Sequence, residues 1–570
     1  MTYTSRHKSK YALLLGSALP LLGALGLSGC KNTLSDAAAP QGALSQTTLS
    51  NQAGVEATLI GAYRAMDWNG AVGGNTGTYT PSNWLWGSTT SDDAYKGSQA
   101  GDYGAVTDVD LYQWSTANTD GLLNDKWRGV YEGVSRANST LSLLKTVRAQ
   151  AGAISDADAK AIAGEAIFLR AYYHFEAYRV WGNIPYYYET DTDFRKPNIK
   201  AADVITALEK DLDSAAVLLP ATPRNGAKGR ATSWTAKAYK GRVQVYAGQW
   251  GDALTTLRNV QATGPYALET SYDHVWTGFN ELQNGPETIL AYQAAVNDGE
   301  PDGDNANYGE RLNFPHSGSP FGCCGFHQPS QNLVNFFAVD PVTGLPAALT
   351  NPNWNANNSN FVAGSTTPVD PRLDWTVGRD GVPYKDWGPH APTWIRAPGY
   401  SGFYSPRKNV HEKSSGAQSN VGWTPTQLNS VKIHAYRYGD LLLNLAEAEV
   451  EAGSLENART IVNQIRTRAG QKAQGPGVDK ASIAVPINDP SITWATYKVG
   501  LYTTPFASQD EARTAVRYER RLELAMEGQR FYDLRRYGTY QQVLNAYVAT
   551  EQTRRPWMAS AQQVTARHLY

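Results

Sequence analysis

Two adjacent cysteines, Cys323 and Cys324 in the stretch SPFGCCGFHQP (residues 319–329), restrict the chemistry of this chain more than any other pair. Three fates compete for them: a disulfide between neighbours, zinc ligation together with His316 and His327, or two buried thiols. Consecutive Cα atoms lie about 3.8 Å apart, short of the usual disulfide span of about 4.4–6.8 Å. A ring disulfide therefore requires a distorted peptide, for which Gly322 and Gly325 give the backbone room. Zinc ligand pairs are normally separated by about two to four residues, and here the separation is nil. The ring is the favoured reading: a rigid, flat knob at a loop tip, able to abut a sugar.

A second set of residues has the chemistry of carbohydrate capture, which needs flat aromatic faces and a few side chains that pair with hydroxyls. TYTPSNWLWGSTTSDDAYKG supplies Tyr79, Asn83, Trp84, Trp86, Asp92, Asp93 and Tyr95 within a short span. Trp84 and Trp86 are two apart, so an extended segment puts both on one side. They read equally as core wedges, since Trp is usually largely buried. Further along, Tyr308, Arg311, Trp387, Trp394, Tyr400, Phe403 and Tyr404 could extend the platform.

Catalytic signatures are missing: no Gly-x-Ser-x-Gly elbow, His-Glu-x-x-His, phosphate loop or dinucleotide fingerprint occurs. A glycosidase needs only two suitably separated carboxylates, so an anchored glycan hydrolase stays open as a rival. Asp92 and Asp93 make a poor pair for that work, because neighbours in a strand face opposite ways. Glu519, Arg520, Glu523, Glu527, Arg530 and Asp533 read as an ion-pair network rather than as acid–base groups, with opposite charges pairing three and four apart along a helix. No cofactor is implied. The run NDGEPDGDNAN has oxygen donors suited to a structural calcium, and reads more simply as a solvated loop.

These residues need a setting. The chain begins with a basic run, MTYTSRHKSK, then an apolar run ending Leu27-Ser28-Gly29-Cys30. That is an export signal over residues 1–29, too short and too kinked at Pro20 for a good span. Its last four residues match the bacterial lipobox, in which the cysteine is lipidated. Residues 30–50 read as a flexible tether, so Cys30 is expected to anchor the body to a membrane surface. Loss of Arg6, Lys8 and Lys10 from the 51 basic residues leaves 48 against 52 acidic, a balance of −4. A nucleic-acid partner, which requires a basic excess, is disfavoured. The 16 Trp and 33 Tyr suit both cores and wet binding surfaces.

The scaffold is helical. Gly241 precedes Ala253 by twelve residues, and Ala446 precedes Ala458 by twelve, with Gly248 and Gly453 each five before the second small residue. Small residues at that spacing let two helices approach across a short turn, a degenerate tetratricopeptide pattern. Ala236, Tyr239, Val243 and Tyr246 share one helix face, as do Tyr438, Leu441, Leu445 and Ala448. Other amphipathic runs begin near Asp120, Ser155 and Lys200, with Ser155 as an N-cap. A last run places Ala515, Tyr518, Leu522 and Ala525 on one stripe. From 265 to 430 the helical period fades into Gly, Pro, Asn and aromatics. A loop-rich region of that length is usually functional, presented by the helices.

In order along the chain come the lipobox, RAYYHFEAYRVWGNIPYYYE, the repeat at 236–260, DPRLDWTV, YGDLLLNLAEAEVEAG with VNQIRTRAG, and ERRLELAMEGQRFYDLRRYG. Together they resemble the SusD/RagB family of outer-membrane nutrient-binding lipoproteins of Bacteroidetes. The resemblance implies a mainly α, tetratricopeptide-like scaffold with a large loop-rich, aromatic-rich region. It divides the chain into an N-terminal helical part, 51–264, and a C-terminal part, 265–570. It further implies a surface-exposed, non-catalytic catcher of an oligosaccharide, or of a peptide, that sits over a SusC-like TonB-dependent barrel transporter. The family's ligand contacts lie in variable loops, so none transfers by motif.

Overall fold

The computed structural model describes residues 46–67, 77–422 and 425–568. The signal segment, Cys30 and the tether up to residue 45 lie outside the described residues. The short helix Gln46–Leu49 belongs to a unit of its own. The chain from Ser50 onward forms the other unit, and it is built on a succession of helices.

These are α1 (Gln52–Arg64), α2 (Asp120–Arg148), α3 (Asp156–Trp181), α4 (Ala201–Leu218), α5 (Ser233–Tyr246), α6 (Trp250–Thr263), α7 (Tyr438–Ala452), α8 (Leu455–Ala469), α9 (Gln509–Leu524), α10 (Arg530–Arg536) and α11 (Tyr540–Arg554). From α1 to α6 each helix packs on the next; α6 then packs on α7, which carries α8 and α9. The fold class is mainly α with tetratricopeptide-like pairing, as expected. The side chain of Ser155 accepts from the Asp158 amide at the start of α3, and Gly182 ends that helix. At Gly241 in α5 any side chain would collide with Leu257 of α6, which is why a small residue stands there.

Two sequence expectations change. The last amphipathic run is not one helix: α9 stops at Leu524, and Met526 and Gly528 have positive φ before α10 begins. The break lets the Gly528 backbone pack directly on Gly87 and on the carbonyl of Ser82, where a Cβ would not fit. Charges in this run also pair mainly with other elements rather than along the helix. Glu519 binds Arg372 at 2.6 Å and Arg466 at 2.8 Å. Glu523 binds Arg372 at 2.9 Å and Arg437 at 2.8 Å, and Arg520 binds Asp440 at 2.6 Å and Asp533 at 2.7 Å. This is the expected structural network.

Between α6 and residue 433 the longest described helix is Gln331–Phe336. Short strands order these loops. β1 (Ala94–Gly97) pairs antiparallel with β3 (Phe326–Pro329), Tyr95 opposite Gln328, and β2 (Thr288–Tyr292) pairs with β4 (Ile433–Arg437). The first pairing joins the two sequence stretches richest in candidate binding residues. Among the described residues no helix is long and apolar enough to cross a membrane.

Candidate functional site

The loop SPFGCCGFHQP is fixed from both sides. Phe321 is fully buried, its ring 4.7 Å from Trp387 and 5.3 Å from Phe314. Phe326, in β3, lies edge-on to Trp84 and to Tyr103. Between these anchors Gly322 and Gly325 adopt φ of +83° and +77°, which only glycine takes without strain. Cys323 and Cys324 form the ring disulfide, joined by a cis peptide. Cys324 is buried, and Gln427 Nε2 donates to its Sγ at 3.6 Å. Cys323 is half-buried and Gly322 exposed, so one edge of the ring faces outward. With both sulfurs in the disulfide, neither is a thiolate, and the set His316, Cys323, Cys324, His327 is not a zinc site. His327 is buried beside Trp84 and held down to about 3 by that burial.

The adjoining segment is equally rigid. Gly325 N–H donates to Phe314 O at 2.8 Å and Phe326 N–H to Leu312 O at 3.1 Å. Trp84 Nε1 donates to Gly309 O at 3.3 Å, and Gly309 N–H to Asp67 Oδ2 at 3.1 Å. Glu310 is buried and accepts from Thr80, Ser82 and Asn313. Burial pushes Asp67 up to about 7 and raises Glu310 against these hydrogen bonds. What this framework leaves half-buried is Tyr308 and Arg311, with the guanidinium 4.0 Å over the ring. Trp387 is also half-buried and donates Nε1–H to His411 O at 2.8 Å.

The earlier aromatics take a different part. Tyr79, Asn83, Trp84, Trp86, Asp92, Tyr95 and Tyr404 are none more than 3% exposed. Their polar atoms are largely used inside the protein: Trp86 Nε1 on Thr78 O at 2.8 Å, Asn83 Nδ2 on Glu176 at 2.9 Å, Tyr95 OH on Glu551 at 2.6 Å. Tyr404 OH accepts from Phe361 N–H at 3.0 Å, and Tyr79 carries Lys126 Nζ 4.5 Å over its ring. As contact residues these seven are corrected: they are the floor beneath the loops. Trp84 and Trp86 lie in a π-helical turn (Trp84–Thr89), not an extended segment. Asp92 and Asp93 precede β1 and do not diverge, since both reach Arg521, at 3.0 Å each. Burial opposes ionisation of Asp92, but Arg521 and Arg530 outweigh it and hold the carboxyl at about 2. Trp394 and Tyr400 are buried, and Phe403 packs on Tyr404. In NDGEPDGDNAN the carboxylates of Asp298 and Glu300 accept from the loop's own backbone amides.

One constellation escaped sequence reasoning. His390 Nδ1 lies 2.7 Å from Asp380 Oδ1, and Nε2 lies 2.8 Å from Ser405 Oγ. This is the order of a Ser-His-Asp triad. Ser405 is wholly buried, however, and His390 packs 5.1 Å from Trp394. A nucleophile that no substrate can reach is a clamp, and this one ties Asp380 to Ser405 through His390.

The architecture is therefore a helical-repeat scaffold presenting a braced loop face. A sequence model described as "SusD family" matches residues 286–567, and one described as "Starch-binding associating with outer membrane" matches 40–245. SusD-like protein P38 of Formosa agariphila is 26% identical over 412 residues, 69% of this chain and 70% of that protein. A SusD-like protein of Bacteroides ovatus is 30% identical over 187 residues, 30% of this chain and 33% of its own. Among solved structures, a laminarin-binding SusD-like protein superposes with a TM-score of 0.62 at 21% identity, covering 87% of this chain and 94% of that one. Surface glycan-binding protein A of Bacteroides thetaiotaomicron, in complex with laminarihexaose, gives 0.59 at 17% identity, covering 86% and 91%. The chain belongs to the SusD family.

Proposed function

We propose that the chain captures an oligosaccharide on its loop face at the half-buried Tyr308–Arg311 pair, with the outward edge of the ring disulfide at Cys323 and half-buried Trp387 as further contacts. It is a binding protein and not an enzyme, in keeping with relatives and structural neighbours named for glycan binding. The observation that carries the reading is the Arg311 guanidinium lying 4.0 Å over the half-buried Tyr308 ring, on a segment braced by Trp84 and Asp67. Such a pair offers a flat face for a sugar and donors for its hydroxyls without ordering cost at binding. The lipobox at Cys30 and the matched family's outer-membrane description support a lipid-anchored, surface-exposed protein. Family membership supports delivery of the glycan to a TonB-dependent barrel partner. Affinity near micromolar, about −8 kcal/mol, suits a protein that must pass its ligand on. Affinity electrophoresis across a panel of neutral and acidic polysaccharides tests this: retardation by at least one is expected, and free migration through all would overturn it.

A further inference from the structure

A second groove lies among elements that the proposed site does not use. Its volume is about 710 Å³, within the range of small-ligand sites, about 300–1,000 Å³. One wall is aromatic. Half-buried Trp354 meets Phe336 edge-on at 5.5 Å, and Phe336 meets half-buried Tyr518 of α9 at 5.2 Å. The other wall is a stripe of α11 and the residue before it, Thr539, Gln542, Val543, Ala546 and Thr550. Trp354 stands in NPNWNANNSN, whose six asparagines surround it. That loop is held in place: Asn355 Oδ1 accepts from Asn335 at 2.9 Å and from Arg554 at 3.2 Å, and Asn335 also donates to Asn357 O at 2.8 Å.

The charge of the groove is unbalanced. Arg521 and Arg530 line it, and both are neutralised by Asp92, with Asp93 adding to Arg521. Arg517 also lines it and stacks 3.9 Å over Tyr537. Its guanidinium makes no ion pair or hydrogen bond among the described residues, so a planar pair of donors is left for an anion.

We infer that this groove is a second saccharide site, selective for an acidic oligosaccharide: Trp354 and Tyr518 stack the sugar, Asn332 and Asn355 meet its hydroxyls, and Arg517 pairs with a carboxylate or sulfate on the ring. The inference goes beyond the proposed function and does not require the Tyr308–Arg311 surface to bind anything.

Isothermal titration of the full chain tests it, with an oligogalacturonate, a sulfated galactan hexasaccharide and neutral laminarihexaose as probes. Saturable binding of at least one acidic probe is expected, and which of them binds identifies the anion. Arg517→Gln is expected to weaken that probe about tenfold and to leave the neutral one unchanged; Trp354→Ala is expected to weaken it at least as much. Tyr308→Ala, at the other surface, is expected to leave acidic binding intact, so the two sites fail or hold separately. Unaltered melting of Arg517→Gln keeps the result readable should Trp354→Ala misfold. No binding of either acidic probe, binding indifferent to Arg517→Gln, or equal competition by polyglutamate would overturn the inference.

Discussion

The indole of Trp84 donates to the carbonyl of Gly309, so a tryptophan from the first part of the chain holds the backbone of the loop that carries Tyr308 and Arg311. Trp84 is wholly buried, and its effect on a ligand is indirect. Trp84→Ala is expected to cost about 3–5 kcal/mol of stability and to loosen the loop. Tyr308→Ala removes a half-buried ring and is expected to weaken neutral-glycan binding about tenfold with the melting temperature nearly unchanged. Parallel calorimetry and titration check the split. Equal loss of stability in both variants would refute the division into floor and face.

Phe321 seats the disulfide loop independently of the disulfide. The double change Cys323→Ser with Cys324→Ser is therefore expected to leave a folded protein, with weaker glycan binding because the ring edge is gone. Phe321→Ala is expected to destabilise by about 3–5 kcal/mol, the usual cost of emptying a buried aromatic site. Chemical denaturation of the two variants distinguishes these outcomes; unfolding of the double variant would give the disulfide a structural role that the flanking rings do not fill.

Arg372 joins Asp370, Glu519 and Glu523, all fully or almost fully buried. Burial opposes the charge of Glu523, but Arg468, Arg437 and Arg372 hold it well below the carboxylate range. Arg372→Met leaves these carboxylates undercompensated and is expected to cost about 3–5 kcal/mol, read as a lower urea midpoint with unchanged slope. A change below 1 kcal/mol, on the order of a surface pair, would contradict the network's role.

Titration gives the stability curve a shape. Burial pushes Asp67 and Asp110 up to about 7, from about 3.9 in an unfolded chain. The folded state then binds more protons, so stability falls as pH rises through about 4 to 7. Asp92 and Glu176 behave oppositely: burial works against their charge, yet Arg521 and Arg530 for one and Arg179 and Lys126 for the other hold them at about 2. Their contribution is complete above about 4 and is lost as pH drops towards 2. From these four groups the melting temperature is expected to peak at about pH 4, where both contributions are present. Asp110→Asn is expected to raise it at pH 8, keeping the acceptor that the Lys96 amide uses at 2.8 Å. A melting temperature that rises steadily from pH 5 to 8 would refute this assignment.

Much of the scaffold was legible because helix pairing writes itself locally. Gly241 and Ala253, Ser155 and Gly182 each report a neighbour only a few turns away. The site was less legible because burial is a tertiary property. TYTPSNWLWGSTTSDDAYKG looks like a binding surface by composition and becomes a floor only because β1 pairs with β3, some 230 residues distant, and because Gly528 packs on Gly87. Asp92 and Asp93 were expected to diverge as strand residues, whereas they sit before the strand and converge on Arg521. The Ser405–His390–Asp380 clamp carries no spacing signal at all. The cysteine ring was readable, since adjacency and two flanking glycines leave few alternatives.

The most direct test of the central claim is affinity electrophoresis of the wild type beside the double variant Tyr308→Ala, Arg311→Ala in gels containing each glycan. The account predicts that a neutral glycan which retards the wild type leaves the double variant migrating as in an empty gel. Equal retardation of both proteins by a neutral glycan, or none of the wild type by any glycan, would contradict it.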